Sequence, residues 1–69
     1  MGSRRTTNTY KVWWHTQIAI GSTFYEGREI VQAEDEAEAA DRAQFGIWRR
    51  AFQDYSLSHI VITRVEQER

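Results

Sequence analysis

The segment from Tyr10 to Ile20 constrains the fold most strongly, because its apolar and polar side chains alternate as in a half-buried β-strand. The even positions form the apolar side, and they are Tyr10, Val12, Trp14, Thr16, Ile18 and Ile20. The odd positions are mostly polar, and they are Lys11, Trp13, His15, Gln17 and Ala19. We expect the even set to face a core, which places Trp13 on the outer side of the sheet.

Turn residues at two places after this strand leave two ways of closing a β-hairpin. The first is a tight turn at Gly21-Ser22, because glycine accepts the positive φ that two-residue turns require. This register places Trp13 opposite Ile30, and Ala19 opposite Phe24, on the outer side of the sheet.

The second way, which we favour, is a loop from Gly21 to Gly27 followed by a short strand from Arg28 to Ala33. In this strand Val31 and Ala33 alternate with a polar residue and are expected to face inward. In both registers Ile30 lies on the outer side of the sheet.

Asp35 and Glu38 have the spacing of a capping box, so a helix is predicted to begin here. One broad stripe of this helix is predicted to lie on the sheet. Its members are Ala37, Ala40, Gln44, Ile47, Trp48, Ala51 and Tyr55. Gly46 weakens a helix interior by about 1 kcal/mol, so the helix either continues through it or breaks into two pieces there.

The segment from Ser58 to Glu66 is predicted to be the last strand, with Ile60 and Ile62 facing inward and Val61 outward. A right-handed crossover through the helix places this strand beside the first one. The predicted fold class is therefore α+β, with element order β-β-α-β and a three-stranded antiparallel sheet in the order 2-1-3. The helix packs on one face of this sheet, and the other face is uncovered.

Length and composition indicate one small domain, with residues 1–9 as a flexible polar arm and residues 10–69 as the ββαβ domain. The 69-residue chain has no cysteine, so its core depends on aliphatic and aromatic packing. No apolar run approaches the roughly 18 residues that a membrane span needs, and the first residues lack the apolar core of a signal peptide. We therefore expect a cytoplasmic protein with no membrane partner.

The residue types that carry enzymatic chemistry are absent or scattered. His15 and His59 form no short metal-ligand motif, and the serines lie in no nucleophile elbow. The four glycines form no phosphate-binding loop. Carboxylates near Asp35 lie at a helix N-terminus, which favours the ionised form and not the protonated form that a general acid needs. We therefore expect no enzyme, no metal and no cofactor.

The outer side of the sheet is the first candidate binding surface. Its predicted contact residues are Trp13, Ile30, Lys11, His15 and Arg28. Val61, Ala19 and Phe24 are further candidates for this side. Exposed apolar patches of this kind typically contact another protein or a second copy of the same chain. The alternative is that the N-terminal arm or a long neighbouring side chain half covers Trp13.

A set of arginines is the second candidate surface, as an anion-binding or nucleic-acid-binding patch. Its predicted members are Arg42, Arg49 and Arg50, which Arg4, Arg5 and Arg64 would join. The alternative is a solvated helix face along Glu38, Arg42, Arg49 and Gln53. A formal net charge of −1 argues against nonspecific binding to nucleic acid.

The run from Gly27 to Ala39 has a strand ending in Val-x-Ala and a Glu-Ala-rich helix that follows at once. Together with Ile60, Ile62 and Val65-Glu66, it resembles the layout of the archaeal ribosomal protein LX family and of small phage anti-CRISPR proteins. The first resemblance implies contacts with ribosomal RNA through a basic surface. This chain departs from that family, because the segment from Phe52 to Ser58 lacks a Lys/Arg-rich stretch. The second implies stoichiometric binding to a larger defence protein.

The sequence thus favours a non-catalytic protein-binding module, in the form of a small phage or mobile-element inhibitor that occupies a partner's surface. The alternative is a nucleic-acid or ribonucleoprotein-associated domain that uses the arginine patch. A homodimer is a further arrangement, since a second copy would cover the uncovered face of the sheet.

Overall fold

The predicted α+β fold, with its element order and strand order, is confirmed by a computed structural model that describes residues 6–68. Its elements are β1 (Asn8–Thr16), β2 (Glu26–Ala33), α1 (Glu36–Ala51), a 3-10 turn (Leu57–His59) and β3 (Ile60–Gln67). The strands form a sheet in the order β2-β1-β3, and both neighbours of β1 run antiparallel to it.

Strand β1 begins at Asn8 and ends at Thr16, whereas the alternation predicted a strand from Tyr10 to Ile20. The inward direction of the even positions is correct up to Thr16, and beyond it Ile18 is exposed. Two bonds mark the end of the ladder: Thr16 N–H donates to the Tyr25 carbonyl at 2.8 Å, and Tyr25 N–H donates to Thr16 Oγ1 at 2.9 Å. Thr16 is buried, so these bonds satisfy polar groups that water does not reach.

The hairpin contains both of the predicted closures. Gly21, with φ of 71°, lies in a tight turn whose flanking residues, Ile20 and Thr23, exchange backbone hydrogen bonds of 2.8 and 3.2 Å. This turn is local, because the ladder with β1 resumes only near the start of β2 at Glu26. The favoured loop is therefore correct in outline, and β2 begins two residues before the predicted Arg28.

The register of the hairpin differs from the one predicted for a tight turn. Trp13 pairs with Arg28, and Lys11 pairs with Ile30. The pairing of Trp13 with Ile30 that a tight turn predicts is wrong. Between the Thr16–Tyr25 and Ile20–Thr23 pairs, three residues follow β1 and only one precedes β2, so the ladder is displaced by two residues. A shift of two preserves the side of every residue, so Ile30 still lies on the outer side.

Helix α1 runs without a break through Gly46 and begins at the predicted cap. Asp35 Oδ1 accepts a hydrogen bond from Glu38 N–H at 2.8 Å. The Glu38 carboxylate accepts from Glu34 N–H at 2.7 Å, one residue before the N-cap, and not from the N-cap itself as a standard capping box requires. The helix ends at Ala51, where Phe52 N–H donates to the Trp48 carbonyl.

The buried face of α1 is rotated from the predicted stripe and consists of Ala39, Ala43 and Ile47. Of the predicted members, Ile47 is buried, whereas Ala37, Ala51 and Tyr55 are exposed. The others, Ala40, Gln44 and Trp48, are half-buried at the margin of the buried face. Gln44 Nε2 donates to the Ile60 carbonyl at 2.9 Å, and Trp48 Nε1 donates to the Tyr55 carbonyl at 2.7 Å. These polar groups keep Gln44 and Trp48 at the border, so small alanines occupy the centre and permit close approach to the sheet.

Strand β3 contains a bulge that the sequence pattern does not reveal. Ile60 is buried and Ile62 packs against the core, as predicted, and Val65 does so as well. The last two are three residues apart, so simple alternation would place them on opposite sides. The register shifts between Trp13 and Trp14, where Thr63 is the extra residue of β3, and this shift returns Val65 to the inner side.

Candidate functional site

The outer face of the sheet, on the side opposite α1, brings the five predicted contact residues together. We define the outer face as Lys11, Trp13 and His15 on β1, Glu26, Arg28 and Ile30 on β2, and Val61, Arg64 and Glu66 on β3. Within residues 6–68 no helix or strand lies against it. Trp13 is at its centre, with Arg28 directly opposite on one neighbouring strand and Arg64 directly opposite on the other.

Trp13 is half-buried, and long neighbouring side chains cover part of its ring. Arg64 Cζ lies 4.8 Å from the centroid of the ring, and Lys11 Nζ lies 5.7 Å from it. Both distances are in the range of cation–π interactions. Long neighbouring side chains thus partly cover Trp13, as one of the two interpretations of the sequence predicts. They restrain the indole, and part of the ring stays accessible.

The charges of the outer face are balanced. Lys11 Nζ lies 3.9 Å from the carboxylate of Glu68, and Arg64 pairs with Glu66. Glu26 and Arg28 make no ion pair and no side-chain hydrogen bond with any residue between 6 and 68. The face thus holds two satisfied ion pairs and two unpaired charges of opposite sign.

A groove of about 450 Å³ crosses the outer face beside Trp13. It is lined by Trp13, Trp14, His15, Glu26, Gly27, Arg28 and Thr63. Trp14 and Gly27 are paired in the ladder and lie on its inner side, whereas Trp13, His15, Glu26 and Arg28 belong to the outer face. The groove offers an aromatic ring, a cation and an anion to whatever binds there.

Two of the three arginines of the predicted patch, Arg42 and Arg50, have partners within the fold. Arg42 Nη1 donates to the Gln32 carbonyl at 2.9 Å, and Arg42 pairs with Glu38 at 3.4 Å. Arg50 makes two hydrogen bonds to the Glu29 carboxylate, at 2.7 and 3.0 Å. Arg49 is exposed and has no ion pair within the described part of the chain. Arg64 lies on the other side of the sheet, and the remaining members, Arg4 and Arg5, fall outside the described residues.

The Arg50–Glu29 pair connects the helix to the inner side of β2. The hydrogen bonds that Arg50 donates to Glu29, and then the negative charge of Glu29, raise the pKa of the Arg50 guanidinium above its ordinary value. Arg50 therefore stays charged at every physiological pH, and it serves as a contact between two elements of the fold and not as a free anion site.

A second, apolar cleft of about 370 Å³ lies where the hairpin loop meets the end of α1. It is lined by Trp14, Ile20, Tyr25, Ile47, Arg50, Ala51 and Phe52. The Phe52 ring contacts those of Trp14 and Tyr25, with centroids 6.1 and 5.6 Å apart. Trp14 Nε1 is buried without a hydrogen-bond partner among residues 6–68. The sequence analysis does not predict this cleft, although two apolar residues between β1 and β2, Ile20 and Tyr25, are a signal for it.

The two histidines differ in their contacts, and His59 Nδ1 is buried without a hydrogen-bond partner among residues 6–68. His15 Nδ1 lies 3.0 Å from the Thr16 carbonyl oxygen. Between residues 6 and 68, no group of three or more His, Cys, Asp or Glu side chains is arranged to hold a metal ion. In the same part of the chain, no helix combines the length and the apolar character needed to cross a membrane.

Comparison with known proteins gives no relative: no protein-family model, no curated protein and no solved structure matches the chain. The resemblance to the ribosomal protein LX family and to small phage inhibitors therefore stays a prediction. What the structure defines is a class, a small α+β domain with one helix on a three-stranded antiparallel sheet. Function has to be inferred from the geometry of its own residues.

Proposed function

We propose that the chain is a non-catalytic protein-binding module whose contact surface is the outer face of the sheet. One observation carries this proposal: the outer face is uncovered by the described residues, yet it presents Trp13 at its centre and Ile30, which is 59% exposed, on the neighbouring strand. Apolar surface that a small domain leaves in water typically serves an interaction.

The environment of Trp13 supports a role in binding. Tryptophan and arginine are enriched among the residues that contribute most to protein interfaces, and here Trp13 lies between Arg28 and Arg64. Arg64 and Lys11 already restrain the indole, so Trp13 would lose less side-chain freedom on binding than a mobile ring would.

The distribution of charge favours a protein partner over nucleic acid. Lys11 and Arg64 are each paired with a carboxylate, and Arg28 lies two residues from Glu26 on the same face. A surface that binds phosphate groups needs a local excess of positive charge, which this balanced face does not have. The inhibitor form of the proposal, in which the module blocks a defence protein, rests on the resemblance to small phage proteins alone.

Trp13→Ala and Ile30→Asp test the proposed surface in affinity capture from cells in which the gene resides. Arg49→Ala is the matched control, because Arg49 lies on the exposed side of the helix without an ion pair to another described residue. We expect wild type and Arg49→Ala to retain the same proteins, and the two outer-face variants to lose them. Retention should hardly change when the salt concentration rises from low to physiological.

Circular dichroism establishes that each variant is folded before capture. A folded Trp13→Ala variant that retains every captured protein would contradict the proposed surface. Capture of nucleic acid that is lost steeply with salt would favour the alternative role.

A further inference from the structure

Strand β2 is an edge strand, and its free edge begins just after the hairpin loop. Because Thr16 N–H donates to the Tyr25 carbonyl, Tyr25 and the odd-numbered residues of β2 direct their backbone groups toward β1. The even-numbered residues Glu26, Arg28 and Ile30 direct theirs away from the sheet. Gln32, which is also even-numbered, fits this pattern, since its carbonyl accepts a hydrogen bond from the Arg42 side chain and not from β1.

Side chains along this edge are arranged symmetrically about Gly27. Moving outward from Gly27, Glu26 and Arg28 are opposite charges, and both lack an ion pair within residues 6–68. The next even positions are Phe24 and Ile30, which are 68% and 59% exposed. Tyr25 is hydrogen-bonded to Thr16, and its ring contacts that of the buried Phe52, so alternation places Phe24 on the outer side together with Glu26. The order apolar, acidic, basic, apolar is complementary to itself when the strand is reversed.

We propose that a second copy of the chain adds to this edge, antiparallel and centred on Gly27, to form a continuous six-stranded sheet. In this register Glu26 of each copy is hydrogen-bonded through its backbone to Arg28 of the other, and Phe24 is paired with Ile30. The side chains of such pairs lie side by side, which gives two reciprocal ion pairs and two apolar contacts. One symmetric contact thus pairs the free backbone groups of the edge and also neutralises its unpaired charges.

The other edge of the sheet fits this role less well. The bulge at Thr63 interrupts β3 in its middle, and bulges hinder edge-to-edge pairing. Gln44 also occupies the Ile60 carbonyl at the start of β3. On β2 the occupied carbonyl belongs to Gln32, beyond Ile30, so the stretch from Phe24 to Ile30 stays available within the described part of the chain.

This inference goes beyond the proposed function, because it uses the free edge of β2 and leaves Trp13, on the central strand, uncovered. The two contacts share Glu26, Arg28 and Ile30, which lie both on the outer face and along the edge. A two-fold axis perpendicular to the sheet keeps both outer faces on one side of the dimer. Two copies of Trp13 would then lie on one continuous surface, and a partner could contact both.

Sedimentation of the full chain from micromolar to millimolar concentration, with amide exchange by NMR, tests the dimer. We expect a monomer–dimer equilibrium in which the amides of Glu26, Arg28 and Ile30 become protected only at high concentration. A chain that stays monomeric through the millimolar range overturns the proposal. A dimer that protects the free-edge amides of β3, at Ile62 and Val65, overturns it as well.

Charge reversal then tests the register. Arg28→Glu and Glu26→Arg should each raise the dissociation constant about tenfold, because each creates two like-charged pairs across the axis. The combined E26R/R28E variant should return to within about threefold of wild type. Single reversals without effect, or a combined variant as weak as the single ones, would refute this pairing.

Trp13→Ala separates the edge dimer from the outer-face proposal. The edge dimer should be unchanged by Trp13→Ala, because Trp13 lies on the central strand. Loss of the dimer in a folded Trp13→Ala variant would mean that two outer faces pack together, which overturns the edge arrangement. Ile30→Asp does not separate the two proposals, because Ile30 belongs to both contacts. A chain that stays monomeric while Trp13→Ala still abolishes capture refutes only the edge dimer. A dimer that forms while a folded Trp13→Ala variant retains every captured protein refutes only the outer-face proposal.

Discussion

The guanidinium of Arg64 lies over the indole of Trp13, with Cζ 4.8 Å from the centroid of the ring. The two residues are direct cross-strand neighbours in the β1–β3 ladder, immediately before the bulge. Arg64 is also paired with Glu66 on its own strand. Arg64, fixed by its pair with Glu66, therefore covers part of the Trp13 ring. This explains why Trp13 is only half exposed on a sheet face that no helix or strand between residues 6 and 68 covers.

Arg64→Ala should lower the free energy of unfolding by about 0.5–1 kcal/mol, the usual size of a cation–π interaction at an exposed site. Urea denaturation of Arg64→Ala, Trp13→Ala and the combined variant forms a double-mutant cycle that isolates the coupling between the two residues. Arg49→Ala, which has no ring contact in the described structure, should change stability by less than about 0.5 kcal/mol. Strict additivity of the Arg64 and Trp13 changes would contradict the contact.

Much of the fold could be predicted because the signals for it are local. Alternation from Tyr10 to Thr16 fixes which side of β1 faces the core, and the spacing of Asp35 and Glu38 fixes the start of the helix. The strand order follows from the handedness of the crossover. The end of β1 depends on the non-local bonds between Thr16 and Tyr25, and the bulge at Thr63 depends on the packing of Val65, so neither could be predicted.

The residues that share the outer face of the sheet could also be predicted, because their position depends on a local pattern. Which residues share the outer face depends only on parity along each strand, so Trp13, Arg28 and Ile30 fall on one face in either of the two predicted closures. Helical spacing does not reveal that Arg42 and Arg50, two members of the predicted arginine patch, have partners on β2. The apolar cleft was missed since its walls come from a loop and a helix end that meet only in the folded chain.

Substitution of Ala43 by leucine tests the rotated face of the helix. Ala43 is buried against the sheet, so Ala43→Leu should destabilise the domain by about 1–3 kcal/mol through overpacking. Ala37→Leu is the matched control, because the sequence pattern assigned Ala37 to the buried stripe and the structure exposes it. Its effect should stay within about 0.5 kcal/mol. Thermal or urea unfolding that ranks the two variants in the opposite order would favour the predicted stripe.

Gly46→Ala should stabilise the domain by about 1 kcal/mol, since alanine is the better residue in a helix interior. A Cβ added at Gly46 meets no atom within 4 Å, so the substitution brings no clash. Gly21→Ala is the contrasting variant, because a φ of 71° disfavours any side chain, and it should cost about 1–2 kcal/mol. Urea midpoints that fall for Gly46→Ala would indicate that the helix interior at this position is not regular.

Arg50→Gln should destabilise the domain by at most about 1 kcal/mol, because the Arg50–Glu29 pair is largely exposed although its geometry is bidentate. The loss should shrink as salt is added, since salt screens exposed charges. Arg49→Gln is the control, as it removes the same charge from the adjacent position without breaking an ion pair among the described residues.

The stabilisation by the Arg50–Glu29 pair depends on pH in the direction set by the raised pKa of Arg50. Glu29 raises the folded pKa of Arg50, so the stabilisation is fully present below the unfolded pKa of the guanidinium and is lost only as pH rises through the higher folded value. Both values lie far above neutrality, so the difference between Arg50→Gln and Arg49→Gln should not change across the neutral range. Equal unfolding free energies for the two variants at low salt would show that the pair contributes no net stability.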